Sequence, residues 1–153
     1  MSVSVKVILD TSVIIEYINR AGKLHKQASA IFKALNEGRL RAAVPSPVLA
    51  ETFYVAVRIY SSMGLPDPVE RAEKLVNWID KHPQVDVLRN FDLDLEAGKM
   101  KLKYGVSLTD CYVLAASKIH KAKAVFRKRE KEMESIEDVL RKELEVIFLE
   151  DYF

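Results

Sequence analysis

The stretch Val5-Lys6-Val7-Ile8-Leu9-Asp10-Thr11-Ser12-Val13-Ile14-Ile15-Glu16-Tyr17 decides how the rest of the chain is read. Val5–Leu9 has the length and apolar content of a buried strand, and the residues from Thr11 carry helical spacing to about Arg20. Asp10 stands where strand gives way to helix, the position at which open α/β sheets build ligand sites. Two more acids recur in similar surroundings. Glu51 lies early in the helix that follows Leu40-Arg41-Ala42-Ala43-Val44-Pro45, and Asp110 opens the helix after Gly105-Val106-Ser107. One such acid is ordinary, but three on elements able to converge point to an oxygen-ligand site for a hard divalent cation.

Working outward, the same alternation of strand and helix continues to the C-terminus. A helix spans His25 to Asn36 with Gly38 suited to its stop, and a strand covers Leu40–Val44. Ser46-Pro47 reads as a cap followed by proline at the first helical position, so a helix should run from Pro47 to about Tyr60. Asp67-Pro68 repeats that signal ahead of a helix Val69–Lys81. Val85–Leu88 is a short strand, Leu93–Tyr104 a helix stopped by Gly105, and Ser107-Leu108-Thr109-Asp110 a capping-box-like start to a helix reaching about His120. Ala124-Val125-Phe126 reads as a fourth strand, Glu130–Leu144 as mostly helix and Val146–Leu149 as a fifth strand. Alternation of this kind implies an α/β fold with a mainly parallel five-stranded sheet covered on both faces. The carboxyl ends of parallel strands share one edge, so acids distant in sequence can meet there.

The totals narrow the class. At 153 residues, with 49% hydrophobic and 30% charged residues, the chain is expected to form one globular domain over 1–153. No apolar stretch is long enough to span a membrane, and Asp10 interrupts the only N-terminal candidate for a signal sequence. The single cysteine, Cys111, excludes an internal disulfide, which fits a reducing, cytoplasmic setting. It reads as a small buried core residue, since no histidine is placed to activate it. His25, His82 and His120 lack zinc-like spacing. A formal net charge of +2 does not by itself imply nucleic-acid binding, and neither common glycine-rich phosphate loop is present.

Asp10, Glu51 and Asp110 together are able to hold Mg²⁺ or Mn²⁺. An ion in such a site lowers the pKa of bound water and stabilises charge at a phosphodiester. Taken alone, Asp110 reads as a helix cap and Asp10 as a turn residue. Glu51 is harder to explain structurally, because it sits among Val48, Leu49, Ala50, Phe53 and Val55, where an unpaired carboxylate is costly. A fourth acid is expected after the fourth strand, in Arg127-Lys128-Arg129-Glu130-Lys131-Glu132. Glu130 is the first choice and Glu132 the reserve, although the segment reads equally well as a solvated, charged helix start. Its basic residues Arg127, Lys128, Arg129 and Lys131 are candidates for phosphate contacts. Lys99, Lys101 and Lys103 are further candidates for phosphate contacts but read more readily as a solvated helix face, and Glu16, one turn after Ser12, is placed to support the site but reads more readily as a surface residue.

At these residues the chain resembles PIN-domain proteins, most closely the VapC-type ribonuclease toxins. The resemblance covers nearly the whole chain and rests on Leu9-Asp10-Thr11-Ser12-Val13-Ile14-Ile15-Glu16-Tyr17, Pro45-Ser46-Pro47-Val48-Leu49-Ala50-Glu51 and Gly105-Val106-Ser107-Leu108-Thr109-Asp110-Cys111-Tyr112-Val113-Leu114-Ala115-Ala116. It implies a three-layer α/β/α sandwich and a metal-dependent ribonuclease that cleaves single-stranded RNA and leaves a 5′-phosphate. Asp10, Glu51 and Asp110 match the family's acidic site. It further implies frequent homodimers and, for toxin members, an antitoxin protein partner. The chain departs from the family after the fourth strand, where Thr or Ser, any residue, then Asp is usual. Here that stretch is Lys128-Arg129-Glu130. Two other functions compete: a non-catalytic PIN module that binds RNA or protein, and, more remotely, a phosphoacceptor domain using Asp10.

Overall fold

The computed structural model describes residues 5–152. Among them, five strands form one sheet: β1 (Val7–Leu9), β2 (Ala42–Pro45), β3 (Val85–Leu88), β4 (Lys123–Phe126) and β5 (Val146–Phe148). All pairings are parallel, in the order β3-β2-β1-β4-β5. The helices are α1 (Thr11–Ile18), α2 (His25–Asn36), α3 (Ser46–Ser62), α4 (Pro68–Lys81), α5 (Phe91–Tyr104), α6 (Leu108–His120), α7 (Lys131–Glu134) and α8 (Glu137–Leu140), followed by a 3₁₀ turn over Leu149–Tyr152. The expected α/β/α architecture is therefore present, and its sheet is wholly parallel.

The central strands are apolar, apart from the exposed Lys123 that opens β4, because helices cover both of their faces. Ile8, Ala42, Ala43, Val44 and Ala124 are completely buried. Small residues in β2 allow close approach of α6, whose Val113, Leu114, Ala115 and Ala116 are likewise fully buried. An aromatic stack joins three helices: Tyr17 of α1 lies 4.2 Å from Phe32 of α2, and Trp78 of α4 lies 5.7 Å from Phe32.

Strand order positions the site. From β1 the chain steps outward to β2 and β3, then returns to the opposite side of β1 to place β4 and β5. The crossovers diverge between β1 and β4, which leaves a crevice beyond their carboxyl ends. Asp10 leaves β1 at that point, and its N–H donates to Val125 O of β4 at 3.0 Å.

Some local expectations needed revision. The stretch 130–144 is not mostly helix. It holds only the four-residue helices α7 and α8, separated by turns. Arg129 explains the break by binding Glu137 on one side and Glu150 and Asp151 on the other, which folds the segment back on the chain end. Ser46 is the first helical residue of α3, with Pro45 as the cap. Asp67 adopts a left-handed backbone (φ 52°) and makes no side-chain cap bond. The capping of α6 is as expected, with the Asp110 N–H donating to Ser107 Oγ at 3.3 Å. β1 and β2 each begin two residues later than the apolar runs suggested, and Leu149 belongs to the 3₁₀ turn.

Candidate active site

Each acid is delivered by a different element. Asp10 caps α1: its Oδ2 accepts the Ser12 N–H at 3.0 Å and the Ser12 hydroxyl at 2.6 Å. Its other oxygen, Oδ1, is buried with no hydrogen-bond partner among the described residues, as is the hydroxyl of adjacent Thr11. Glu51 is half-buried on α3, and Asp110 sits in the first turn of α6. All three line one cleft of about 430 Å³, together with Glu130, Arg127 and Lys128.

The acids lie close enough to shift one another's titration. Burial pushes the Asp10 carboxyl up to about 6, with the Glu51 charge adding to the rise and the Ser12 hydrogen bonds opposing it. Asp110 is pushed up to about 7, first by burial and then by the charges of Asp10, Glu51 and Glu132. Carboxyls crowded in this way gain from a shared cation, which would remove the cost of ionising them together. Among the described residues no three acidic, histidine or cysteine side chains close into a ready-made metal cage. What the cleft offers is an acidic donor set and an orphaned carboxylate oxygen on Asp10. Both suit a hard cation completed by water.

The segment after β4 contributes unevenly. Glu130 is exposed on the cleft wall and occupies the cap position of α7 without making a cap bond. Glu132, the reserve choice, is the one whose charge bears on Asp110. Arg129 does not serve as a phosphate contact. Its guanidinium is consumed by Glu137 at 2.6 Å, Glu150 at 3.0 Å and Asp151 at 2.7 Å, and lies over the Phe148 ring. Lys101 caps the end of α5 by donating to Val106 O, and Lys103 pairs with Glu143. These two are therefore structural, as the helix-face reading implied. Cys111 is fully buried, and burial raises its thiol pKa, so it has no nucleophilic character.

Sequence reasoning ranked a surface role for Glu16 above a supporting one at the site, and the structure reverses that order. The expected surface residue is only 4% exposed and lines the same cleft. The available signal was an acid inside the otherwise apolar run Val13-Ile14-Ile15-Glu16-Tyr17-Ile18, on the face of α1 that carries Ser12.

A sequence profile for the PIN domain matches residues 7–138. The chain belongs to the PIN-domain family. Among solved structures, the PIN domain resembles VapBC bound to DNA from Salmonella typhimurium, with a TM-score of 0.64 and 16% identity over 95% of this chain and 98% of the other. It also resembles Mycobacterium tuberculosis VapC20, described as a toxin cleaving the sarcin-ricin loop (TM-score 0.61, 18% identity, 78% and 87% covered). A third is FitAcB from Neisseria gonorrhoeae (TM-score 0.53, 13% identity, 94% and 97% covered). At these identities the likeness is one of fold. A search of curated proteins by sequence found no match.

Proposed function

We propose that this PIN domain is a metal-dependent endoribonuclease that cleaves single-stranded RNA, and that it is the toxin of a toxin–antitoxin pair. The observation that carries the reading is the meeting of Asp10, Glu51 and Asp110 at one crevice, with two of their carboxyls pushed towards neutrality by burial and by each other. In this reading the three acids hold Mg²⁺ or Mn²⁺, and Glu130 assists from the cleft wall. A divalent ion there supplies an activated water and offsets charge at the scissile phosphate. Asp10 and Asp110 provide the anionic charge that retains it, and Ser12 fixes the rotamer of Asp10 through two hydrogen bonds. Glu51 completes the donor set from the opposite helix.

The VapC and VapBC neighbours support an antitoxin partner; in this reading the protein also acts as a homodimer in the cytoplasm. No helix among the described residues is long and apolar enough to cross a membrane. The test is cleavage of single-stranded RNA by the purified protein with Mg²⁺ or Mn²⁺, and its loss in Asp10→Asn and Asp110→Asn prepared in parallel. Both variants cleaving at full rate would exclude the mechanism.

A second reading, a non-catalytic RNA- or protein-binding module, draws on Lys128 standing where the family places a hydroxyl and on the exposure of Glu130. RNA binding without cleavage across several RNAs and Mn²⁺ concentrations would favour it.

A further inference from the structure

Glu16 is a buried acid that the proposed chemistry leaves without a task. A carboxylate removed from water persists only where partners compensate it. Its Oε1 accepts the Leu24 N–H at 2.8 Å, and its Oε2 lies 3.8 Å from Arg127 Nε. The turn after α1 is shaped around this side chain. A methyl group at Gly22 would run into the Glu16 carboxyl, so a larger residue there would displace that side chain. Organising that turn accounts for Oε1. It does not account for Oε2, which faces the arginine across the cleft.

Arg127 is held from its backbone as well. Its N–H donates to Ser12 Oγ at 3.0 Å, and the same hydroxyl donates to Asp10 Oδ2 at 2.6 Å. The residue therefore stands one serine away from the central acid, with its side chain 31% exposed on the cleft wall. The ion pair runs through Nε. The two terminal nitrogens make no hydrogen bond among the described residues. A guanidinium that meets Glu16 at one edge by a 3.8 Å ion pair, too long for a hydrogen bond, and is open at the other is suited to the paired oxygens of a phosphate. Neither neighbour has this arrangement: Lys128 is exposed and unanchored, and Arg129 is taken up by three acids.

We propose that Arg127 is the residue that binds an RNA phosphate in this cleft, and that Glu16 is the positioning residue that orients its guanidinium. The assignment rests on the ribonuclease reading for its substrate class. The sign of one substitution separates positioning from mere structure. Glu16 is an anion beside an RNA track, so removing its charge should by itself tighten RNA binding. If Glu16 positions Arg127, removing it weakens binding instead, and only while Arg127 is present.

The experiment uses Asp110→Asn protein in EDTA as a non-cleaving background, with a short fluorescein-labelled single-stranded oligoribonucleotide followed by anisotropy over a salt series. Arg127→Ala is expected to weaken binding about five- to twentyfold and to lower the salt slope by about one. Arg127→Lys should keep the slope but recover only part of the affinity. Glu16→Gln retains an acceptor for Leu24 and should weaken binding about two- to fivefold beside Arg127. It should have no effect, or tighten binding, in the Arg127→Ala protein. Should Glu16→Gln melt early, Glu16→Asp replaces it with the charge unchanged: weaker binding is expected beside Arg127 and none of that loss without it. Unchanged affinity and slope in Arg127→Ala, no oligonucleotide binding at all, or tighter binding in Glu16→Gln beside Arg127 would each overturn the assignment. Cleavage assays with Asp110 restored keep the two ideas apart. Metal-dependent cleavage with an indifferent Arg127 sinks only this inference, whereas the expected binding pattern without cleavage sinks only the nuclease.

Discussion

Asp10 and Asp110 are fixed by the ends of buried elements, whereas Glu130 rides on an exposed segment held by ion pairs. Asp10 follows a strand with Ile8 at 0% exposure and is locked by Ser12, and Asp110 is set by the Ser107 cap and the buried residues 113–117 of α6. The segment from Arg127 to Leu144 has two single-turn helices and depends on Arg129 to gather Glu137, Glu150 and Asp151. Rigid packing specifies geometry without regard to salt or pH. An ion-pair network at partial exposure specifies it more loosely and responds to both. The cleft thus has an inflexible acidic wall opposite an adjustable one.

The largest effect should come from the rigid wall. Asp10→Asn or Asp110→Asn is expected to lower RNA cleavage by more than about a hundredfold, because even residues outside the ligand set of metal sites cost 10–100-fold. Circular dichroism of both variants should show an unchanged fold. Comparable losses from Glu130→Gln would break the contrast between the walls.

Next is the tie that holds the adjustable wall. Arg129→Ala should destabilise the protein by about 2–3 kcal/mol and lower Tm by several degrees, since it strips one cation from three acids. High salt should narrow the gap between this variant and the parent. A gap that salt leaves unchanged would place the contribution of Arg129 in its packing on Phe148 instead.

A smaller effect, opposite in sign, is expected at Asp110 without metal. Its folded pKa of about 7 lies above the ordinary 3.8, so the folded state binds its proton more tightly than the unfolded chain. Stability is therefore lost as pH rises from about 4 to about 7, and the loss is complete above that range. Asp110→Asn escapes the penalty. Its Tm should match the parent near pH 4 and exceed it near pH 8, by about 1–2 kcal/mol of stability. Adding Mg²⁺ should close the gap by stabilising the parent. Thermal melts across pH with and without the ion check both statements.

The smallest effect should be that of Glu130→Gln. A ligand on the exposed wall predicts at most about a tenfold loss of cleavage, together with a higher Mg²⁺ requirement. Unchanged activity with slightly tighter RNA binding would assign the segment to phosphate contact alone.

The same division explains what could be read from the residues. Val5–Leu9 and Leu40–Val44 are short, mostly apolar runs that read as buried strands, and the placing of Asp10 at the end of the first and of Glu51 on the helix after the second follows from topology. Gly105 and Ser107 fixed the limits of α5 and α6 through local chemistry. Glu130–Leu144 resembles a helix by composition, yet its conformation depends on Glu150 and Asp151 meeting Arg129, and local propensity does not register pairs that distant. The burial of Glu16 is hard to read from its neighbours in sequence for a related reason. Its burial is created by Gly22, Leu24 and Arg127, none of which is adjacent to it in sequence.

The hydrogen bond from Arg127 to the Ser12 hydroxyl joins residues 115 positions apart, and this bears on how the molecule comes into being. β1 is made first, but its central neighbour β4 follows most of the chain, and Asp110 is supplied just ahead of it. Closing so long a loop is slow, as in other folds dominated by non-local pairing. During synthesis Asp10 lacks its acidic counterpart until Asp110 is joined, and the carbonyl that receives its N–H until Val125 is joined. A chain that stops short of Asp110 therefore carries no completed acid cluster.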